Sequence, residues 1–231
     1  MKTREVSFCE HADNPNRITR GRLPCIGAMN KMRTLFDKIW EKHIVAQEED
    51  ETLLYVDRCL IHEGSRHTFD TLHEQGLSVA HPDKVFAFSD HYIPTDPQIR
   101  AQGVAGIADP DIRNMVQLLI RNTDEYKIPR FGWGDDRQGI LHVAGPELGL
   151  SQPGIVLVGA DSHTSTHGAF GNLSFGIGAS ETTHVVATQT IWQRRPGTLR
   201  IKIDGPLDSS LKNVKQDDFN NECVRLQRAN R

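Results

Sequence analysis

The chain is predicted to fold as a layered α/β/α domain around a largely parallel sheet, and three features of the sequence support this. Short β-branched or aromatic runs alternate with amphipathic stretches at helical spacing, the pattern of strand–helix–strand units. The run at 155–158, Ile-Val-Leu-Val, has no polar interruption, as expected of a strand covered on both faces. Apolar runs also end in acidic and imidazole side chains, and the carboxyl edge of a parallel sheet is where ligands collect.

The elements follow in order. From Met32, the residues Leu35, Phe36, Ile39 and Trp40 recur at helical spacing, with Lys31, Arg33, Lys38 and Glu41 filling the other face, so an amphipathic helix is predicted. Residues 52–57 read as a strand, and residues 68–75 as a helix stopped by Gly76. A strand over 85–88 comes next. Residues 109–126 form a second long helix, with Asp109 as N-cap and Pro110 at its first position. The short run 139–141 reads as a strand end that delivers His142 just before the turn-forming Gly145-Pro146, and residues 154–160 as a further strand. The glycines at 168, 171, 176 and 178 let backbone amides approach a ligand closely. Ser180 is the expected cap of a helix running to about residue 193, and residues 198–203 close as a strand.

Residues 1–31 precede any strong periodicity. Arg4, Arg17, Arg20 and Arg22 are interleaved there with Glu5, Glu10 and Asp13, and there is no apolar run of signal-peptide type, so a disordered extension is expected. A start codon chosen upstream of a true start at Met32 would look the same. Residues 206–231 become polar and charge-mixed, a divergent tail.

Composition narrows the function classes. With 27 basic against 30 acidic side chains the formal charge is −3, which offers no general attraction to nucleic acid or to an anionic membrane. No apolar stretch approaches the roughly 20 residues that a membrane helix needs. Cys9, Cys25, Cys59 and Cys223 are widely spaced with no C-x-x-C pair, so reduced thiols and a cytoplasmic location are expected.

The chemistry concentrates at three places: Ser89-Asp90-His91, His142, and Asp161-Ser162-His163. A carboxylate beside an imidazole suits proton transfer near neutral pH, because the acid orients the ring and fixes its tautomer. Any one such pair is more often a solvated turn or a cap. Its repetition at successive element ends favours an active site.

The ordered blocks that carry these residues resemble the aconitase superfamily, most closely its isopropylmalate dehydratase large-subunit branch. They are Thr34-Leu-Phe-Asp-Lys-Ile-Trp40, Tyr55-Val-Asp-Arg-Cys-Leu-Ile-His-Glu63, Ser89-Asp-His-Tyr-Ile-Pro-Thr95, Gly139-Ile-Leu-His-Val-Ala-Gly-Pro-Glu147 and Gly159-Ala-Asp-Ser-His-Thr-Ser-Thr-His-Gly-Ala-Phe-Gly171. The resemblance runs from Met32 to Gly205 and implies the N-terminal α/β part of a hydro-lyase large subunit. Such an enzyme dehydrates and rehydrates a hydroxy di- or tricarboxylic acid through an alkene; in this branch it interconverts 2- and 3-isopropylmalate in leucine biosynthesis, with a small subunit as partner.

The resemblance also implies that Asp90 with His91, His142, and Asp161 with His163 handle protons at the departing hydroxyl, with Ser162 near the substrate. It implies a 4Fe-4S cluster held by three cysteines, but the C-x-x-C segment that supplies them in the family is absent from this chain, so no metal ligand is assigned. The His62-to-Phe69 stretch departs from the family, and no role is carried to His67 or Thr68.

Two other readings remain open. The chain can be an inactive remnant or assembly partner of a related dehydratase. It can also be a zinc hydrolase that uses His91, His142, Asp161 and His163 directly on the metal; His163 and His167 have H-x-x-x-H spacing, but the glutamate that accompanies it in zinc proteases is absent.

Overall fold

A computed structural model describes residues 33–198 together with the backbone of Ser7–Phe8. The expectations for the extension over 1–31 and for the tail over 206–231 fall outside the described residues, apart from β1 (Ser7–Phe8), which pairs antiparallel with β2 (Ile44–Glu48). Of the strand expected over 198–203, all but Thr198 lies beyond them as well. The chain divides into a compact unit ending at Gln193 and a second unit from Arg194, of which only the first few residues are described.

The first helix, α1 (Leu35–Lys42), starts where Thr34 and Asp37 cap one another reciprocally, and it buries Ile39 and Trp40. It leads into β2 and β3 (Glu51–Tyr55), an antiparallel hairpin turning on Glu49, whose φ is +53°. This hairpin belongs to a separate four-stranded sheet of order β1-β2-β3-β9, in which β9 is Thr190–Arg194. No pattern in the sequence indicates this second sheet.

The main sheet contains β4 (Arg58–His62), β5 (Val85–Phe88), β6 (Arg130–Phe131), β7 (Val156–Gly159) and β8 (Leu173–Gly176) in the order β6-β5-β4-β7-β8. Every adjacent pair is parallel, which bears out the expected fold class. Alternation along the strands divides the core. Cys59 and Ile61 of β4, Val85 and Ala87 of β5, and Val156 and Val158 of β7 pack in one cluster with Phe69 and Leu72 of α2 (Arg66–Gln75), Leu119 of α4 (Pro110–Tyr126) and Val185 and Val186 of α6 (Ala179–Thr188). Leu60, Phe88 and Leu157 point the other way and pack against Leu141 and Ala144 of α5 (Leu141–Glu147).

Several predicted elements match closely. Asp109 caps α4 through the N–H groups of Asp111 and Ile112, and Gly76 ends α2 at φ +64°. Others need correction. The helix expected to start at Ser180 is capped at Gly178, whose N–H donates to the Glu181 carboxylate 2.8 Å away, and it ends at Thr188, where the chain turns into β9. His142 does not follow a strand: it lies in the first turn of α5, which continues through Gly145 to Glu147 and includes Pro146. A further helix, α3 (Pro97–Ala101), was not expected.

Strand order reverses between β4 and β7: the chain proceeds from β4 outward through β5 to β6, then returns to the other side of β4 as β7 and β8. The crevice beyond the carboxyl ends at such a switch point is the usual ligand site of an open α/β sheet.

Candidate active site

His62 closes β4, and its Nε2 lies 3.0 Å from the carbonyl of Ala160 just past β7, so the two central strands are tied at the switch point. Beyond β5, Asp90 and His91 turn toward this seam, and the His91 ring stacks on His62 with centroids 4.1 Å apart. Beyond β7 comes Asp161. Its turn passes so close to β8 that a Cβ at Gly176 would sit 2.5 Å from the Asp161 carbonyl oxygen, and one at Gly159 would sit 2.5 Å from Thr164 Oγ1. Glycine is required at both positions to seat Asp161 at the sheet edge.

Asp161 is the hub. Its Oδ2 is 3.1 Å from His91 Nε2 and its Oδ1 2.5 Å from His142 Nε2, and Oδ1 also accepts the His163 backbone N–H at 2.7 Å. His91 Nδ1 contacts the Asp90 carboxylate at 2.6 Å, while the other oxygen of Asp90 accepts the Leu141 N–H at 2.7 Å. Asp90 therefore both orients His91 and supplies a cap to the helix that carries His142. Burial alone would raise the Asp161 carboxyl, but the His163 N–H and the rings of His142 and His91 hold it well below its ordinary range. Burial likewise opposes charge on His91, and the Asp90 carboxylate, then Asp161, carry that ring above its usual value.

Asp90, His91, Ile140, His142, Asp161 and His163 line one hollow of about 230 Å³. Five of the six residues singled out in the sequence thus meet. Ser162 is exposed and does not line the hollow; its Oγ lies 3.3 Å from His163 Nδ1. His163 stands at the mouth with its side chain 79% exposed.

Two groups outside the six assigned to proton handling and the substrate's rim from the sequence support this arrangement. Glu63 is buried, and its two oxygens accept the backbone N–H groups of Asp90 at 3.2 Å and Tyr92 at 2.8 Å, pinning the segment that bears His91. Its only sequence signal was its place just after the apolar run 59–61. Replacing Glu63 with Ala leaves two N–H groups without partners and is expected to cost about 2 kcal/mol of stability, read by urea denaturation, with line-broadening of the His91 ring resonances. An unchanged His91 spectrum would exclude the pinning role. The second group, His167, lies behind His142 in the 3₁₀ turn Thr164–Phe170. In a 3₁₀ turn, positions four apart are rotated by about 120°, so His163 reaches the mouth while His167 is buried and the pair does not share a ligand. The H-x-x-x-H pair therefore forms no metal site among the described residues.

His142, Asp161 and His163 present atoms within 4.8 Å of one another, as do His62, Glu63 and His91. In the first group Asp161 already bonds to both neighbours, and in the second Glu63 is used by backbone N–H groups, so each is read as a hydrogen-bonded network. A 4Fe-4S cluster requires thiolates. Cys59, the described cysteine, is wholly buried in β4 and burial pushes its thiol up to about 12, so it stays protonated and packs as a small apolar side chain. The described residues therefore do not fit a cluster; Cys9, Cys25 and Cys223 lie outside them.

With this geometry in place, comparison with known proteins is informative. The family model for the aconitase family (aconitate hydratase) matches residues 37–215. The 3-isopropylmalate dehydratase large subunit of Leuconostoc mesenteroides is 50% identical over 177 residues, covering 76% of this chain and 37% of that protein. The protein of the same name from Roseiflexus castenholzii is 49% identical over 178 residues, 76% of this chain and 38% of that one. The chain spans less than two-fifths of the length of these relatives. On a family match over most of its length and half-identity to these large subunits, the chain belongs to the aconitase family.

Proposed function

We propose that the chain supplies the acid–base part of a dehydratase large subunit of the isopropylmalate type, which interconverts 2- and 3-isopropylmalate by dehydration and rehydration in leucine biosynthesis. The observation that carries this reading is the Asp161 carboxylate bonded to both His91 and His142 at the mouth of a hollow on the switch point. Hydroxide leaves poorly unless it is protonated or bound to a Lewis acid. An imidazole held by carboxylates can hold a proton near neutral pH and give it to the departing oxygen in the hollow, then take it back in the reverse direction. Asp90 with His91, His142, and Asp161 with His163 are assigned to that proton handling, and Ser162 to the substrate's rim.

In the complete family enzyme a 4Fe-4S cluster supplies the Lewis acid, but the described residues of this chain do not hold one. A small subunit, implied by the relatives' designation as large subunits, is the proposed protein partner. A cytoplasmic location belongs to the same reading; it is supported by the free thiol of Cys59, and no described helix is long and apolar enough to cross a membrane.

The test is titration of the ¹⁵N-labelled chain with 2-isopropylmalate, citrate and acetate. Saturable shifts confined to His91, His142, His163 and their neighbours are expected for the hydroxy acids and not for acetate. Shifts spread over the surface, or none, would overturn the assignment. Anaerobic treatment with iron and sulfide is expected to leave the isolated chain without stable brown colour, and retention of about four irons per chain would refute that.

A second reading, as a non-catalytic assembly partner, is favoured by one observation. Ile140, Val143 and Phe170 are exposed apolar side chains on the helix and turn that carry His142 and His167. Under that reading the chain co-purifies with a dehydratase subunit yet binds no hydroxy acid.

A further inference from the structure

His167 is 1% exposed, and both of its ring nitrogens are engaged: Nε2 lies 3.0 Å from His142 Nδ1, and Nδ1 lies 2.6 Å from the hydroxyl of the buried Ser151. His142 in turn faces Asp161 through Nε2 at 2.5 Å. The row Asp161–His142–His167–Ser151 runs from the hollow into the core. Among the described residues no carboxylate faces His167: beside its ring lie His142, Ser151 and the backbone of Gly145. Burial, with the neighbouring His142, pushes His167 down to about 4, so it is a neutral imidazole at ordinary pH.

The protons on this row are constrained. A carboxylate only accepts, so His142 Nε2 carries a proton. Two nitrogens 3.0 Å apart hold one proton between them: two would repel, and none would leave buried lone pairs facing each other. When His142 is neutral, the bridging proton sits on His167 Nε2 and the Ser151 hydroxyl donates to His167 Nδ1. When His142 is charged, the bridging proton sits on His142 Nδ1, and His167 carries its own proton on Nδ1 and donates it to Ser151 Oγ. Exactly one proton is gained overall, taken from solvent, and His167 is neutral before and after. A carboxylate at this place would favour only the charged form of His142, and an ammonium only the neutral one. A neutral imidazole backed by a hydroxyl serves both.

From this geometry we infer that His167 is the positioning residue for His142, acting as donor or acceptor to Nδ1 so that His142 gains and loses a proton in place without leaving a buried atom unpaired. The inference deepens the proton-transfer assignment and rests on it for its consequence. It can be tested without substrate, so the two can fail separately.

The experiment is ¹⁵N imidazole spectroscopy of the whole chain across pH 5–9, with His167→Leu, His167→Gln and Ser151→Ala. In the parent chain a scalar coupling between His142 Nδ1 and His167 Nε2 is expected, with the bridging proton moving from His167 to His142 as His142 becomes charged. Leucine should abolish the coupling and leave His142 Nδ1 without a partner, so that the ring is no longer held in one tautomer and its ¹⁵N signals broaden. Glutamine, whose amide reaches the same place and can turn either end inward, should restore sharp signals of a single tautomer. If His167→Leu does not fold, Ser151→Ala decides, since loss of the hydroxyl should hold the bridging proton on His167. Absence of the coupling, a bridging proton that stays on His167 at every pH in the parent chain, or equal behaviour of the leucine and glutamine variants would overturn the inference.

Discussion

Replacing Asp161 with Asn is expected to lower the dehydration rate by about 10²–10⁴-fold in an assembly where turnover is measurable, the range associated with losing a positioned acid–base group. Asparagine keeps one oxygen for His142 and the His163 N–H, but presents either an amide or a shared oxygen to His91, and the negative charge is gone. In the isolated chain the same substitution should lower the titration midpoint of His91, because Asp161 is one of the two carboxylates that raise it. Asp161 also makes the folded chain acid-sensitive. Its folded value is depressed, so its contribution to stability is present above its unfolded value of about 3.8 and is lost as pH falls through the folded value. The Asn variant should therefore unfold with a shallower dependence on pH below that point. A His91 midpoint that does not move, together with a rate within threefold of the parent, would remove Asp161 from the centre of the site.

How much of this site could be read in the sequence depended on how local its causes are. The helix α4 was legible because a long amphipathic period, an Asp cap and a Pro at the first position all act within a few residues. The strand β5 was legible as four apolar residues ending at a polar break. The helix α5 was not. Its N-cap, Ile140, has no capping side chain, and the Leu141 N–H is satisfied by Asp90, 51 positions away, so nothing in the run 139–146 distinguished a helix from a strand and turn. The central strand β4 carries Arg58 and His62 at its ends, and β6 is two residues long; both depend on parallel pairing with distant partners. Asp90, His91, His142, Asp161 and His163 were recognisable as acid–imidazole clusters wherever their backbone lay. The roles of Glu63 and His167 were not, because they are set by burial and by partners 27 and 25 positions away.

The same dependence on distant partners makes Asp57 a structural ionisable group outside the site. It follows β3, where its Oδ2 accepts the Val156 N–H at 2.8 Å and meets His43 Nε2 at 2.7 Å, while its own N–H donates to the Val156 carbonyl at 2.9 Å. His43 ends α1, and its Nδ1 lies 2.6 Å from the Ile39 carbonyl. Both ring nitrogens face groups that only accept, so the charged ring satisfies both and the neutral ring loses one bond. Burial opposes that charge, but the Asp57 carboxylate and the Ile39 carbonyl raise His43 above 6.5, and His43 with the Val156 N–H lowers Asp57 below 3.8 despite its burial. Asp57→Ala is expected to cost about 3 kcal/mol, as for a largely buried pair with one partner removed, and to lower Tm by roughly 6–12 °C. The signs define a window. The Asp57 contribution is complete above its unfolded 3.8 and fades as pH falls through the folded value; the His43 contribution is complete below its unfolded 6.5 and fades as pH rises through the folded value. The gap between parent and Asp57→Ala should therefore be widest between pH 3.8 and 6.5 and narrow on either side, with the Val156 bond as the part that survives in alkali. Asp57→Asn, which can still accept from Val156, should show mainly the pH-dependent part. A gap below about 1 kcal/mol, or one that stays flat from pH 5 to pH 9, would show that α1 and the β7 entry are held by packing of Ile39, Trp40 and Val156 rather than by this ion pair.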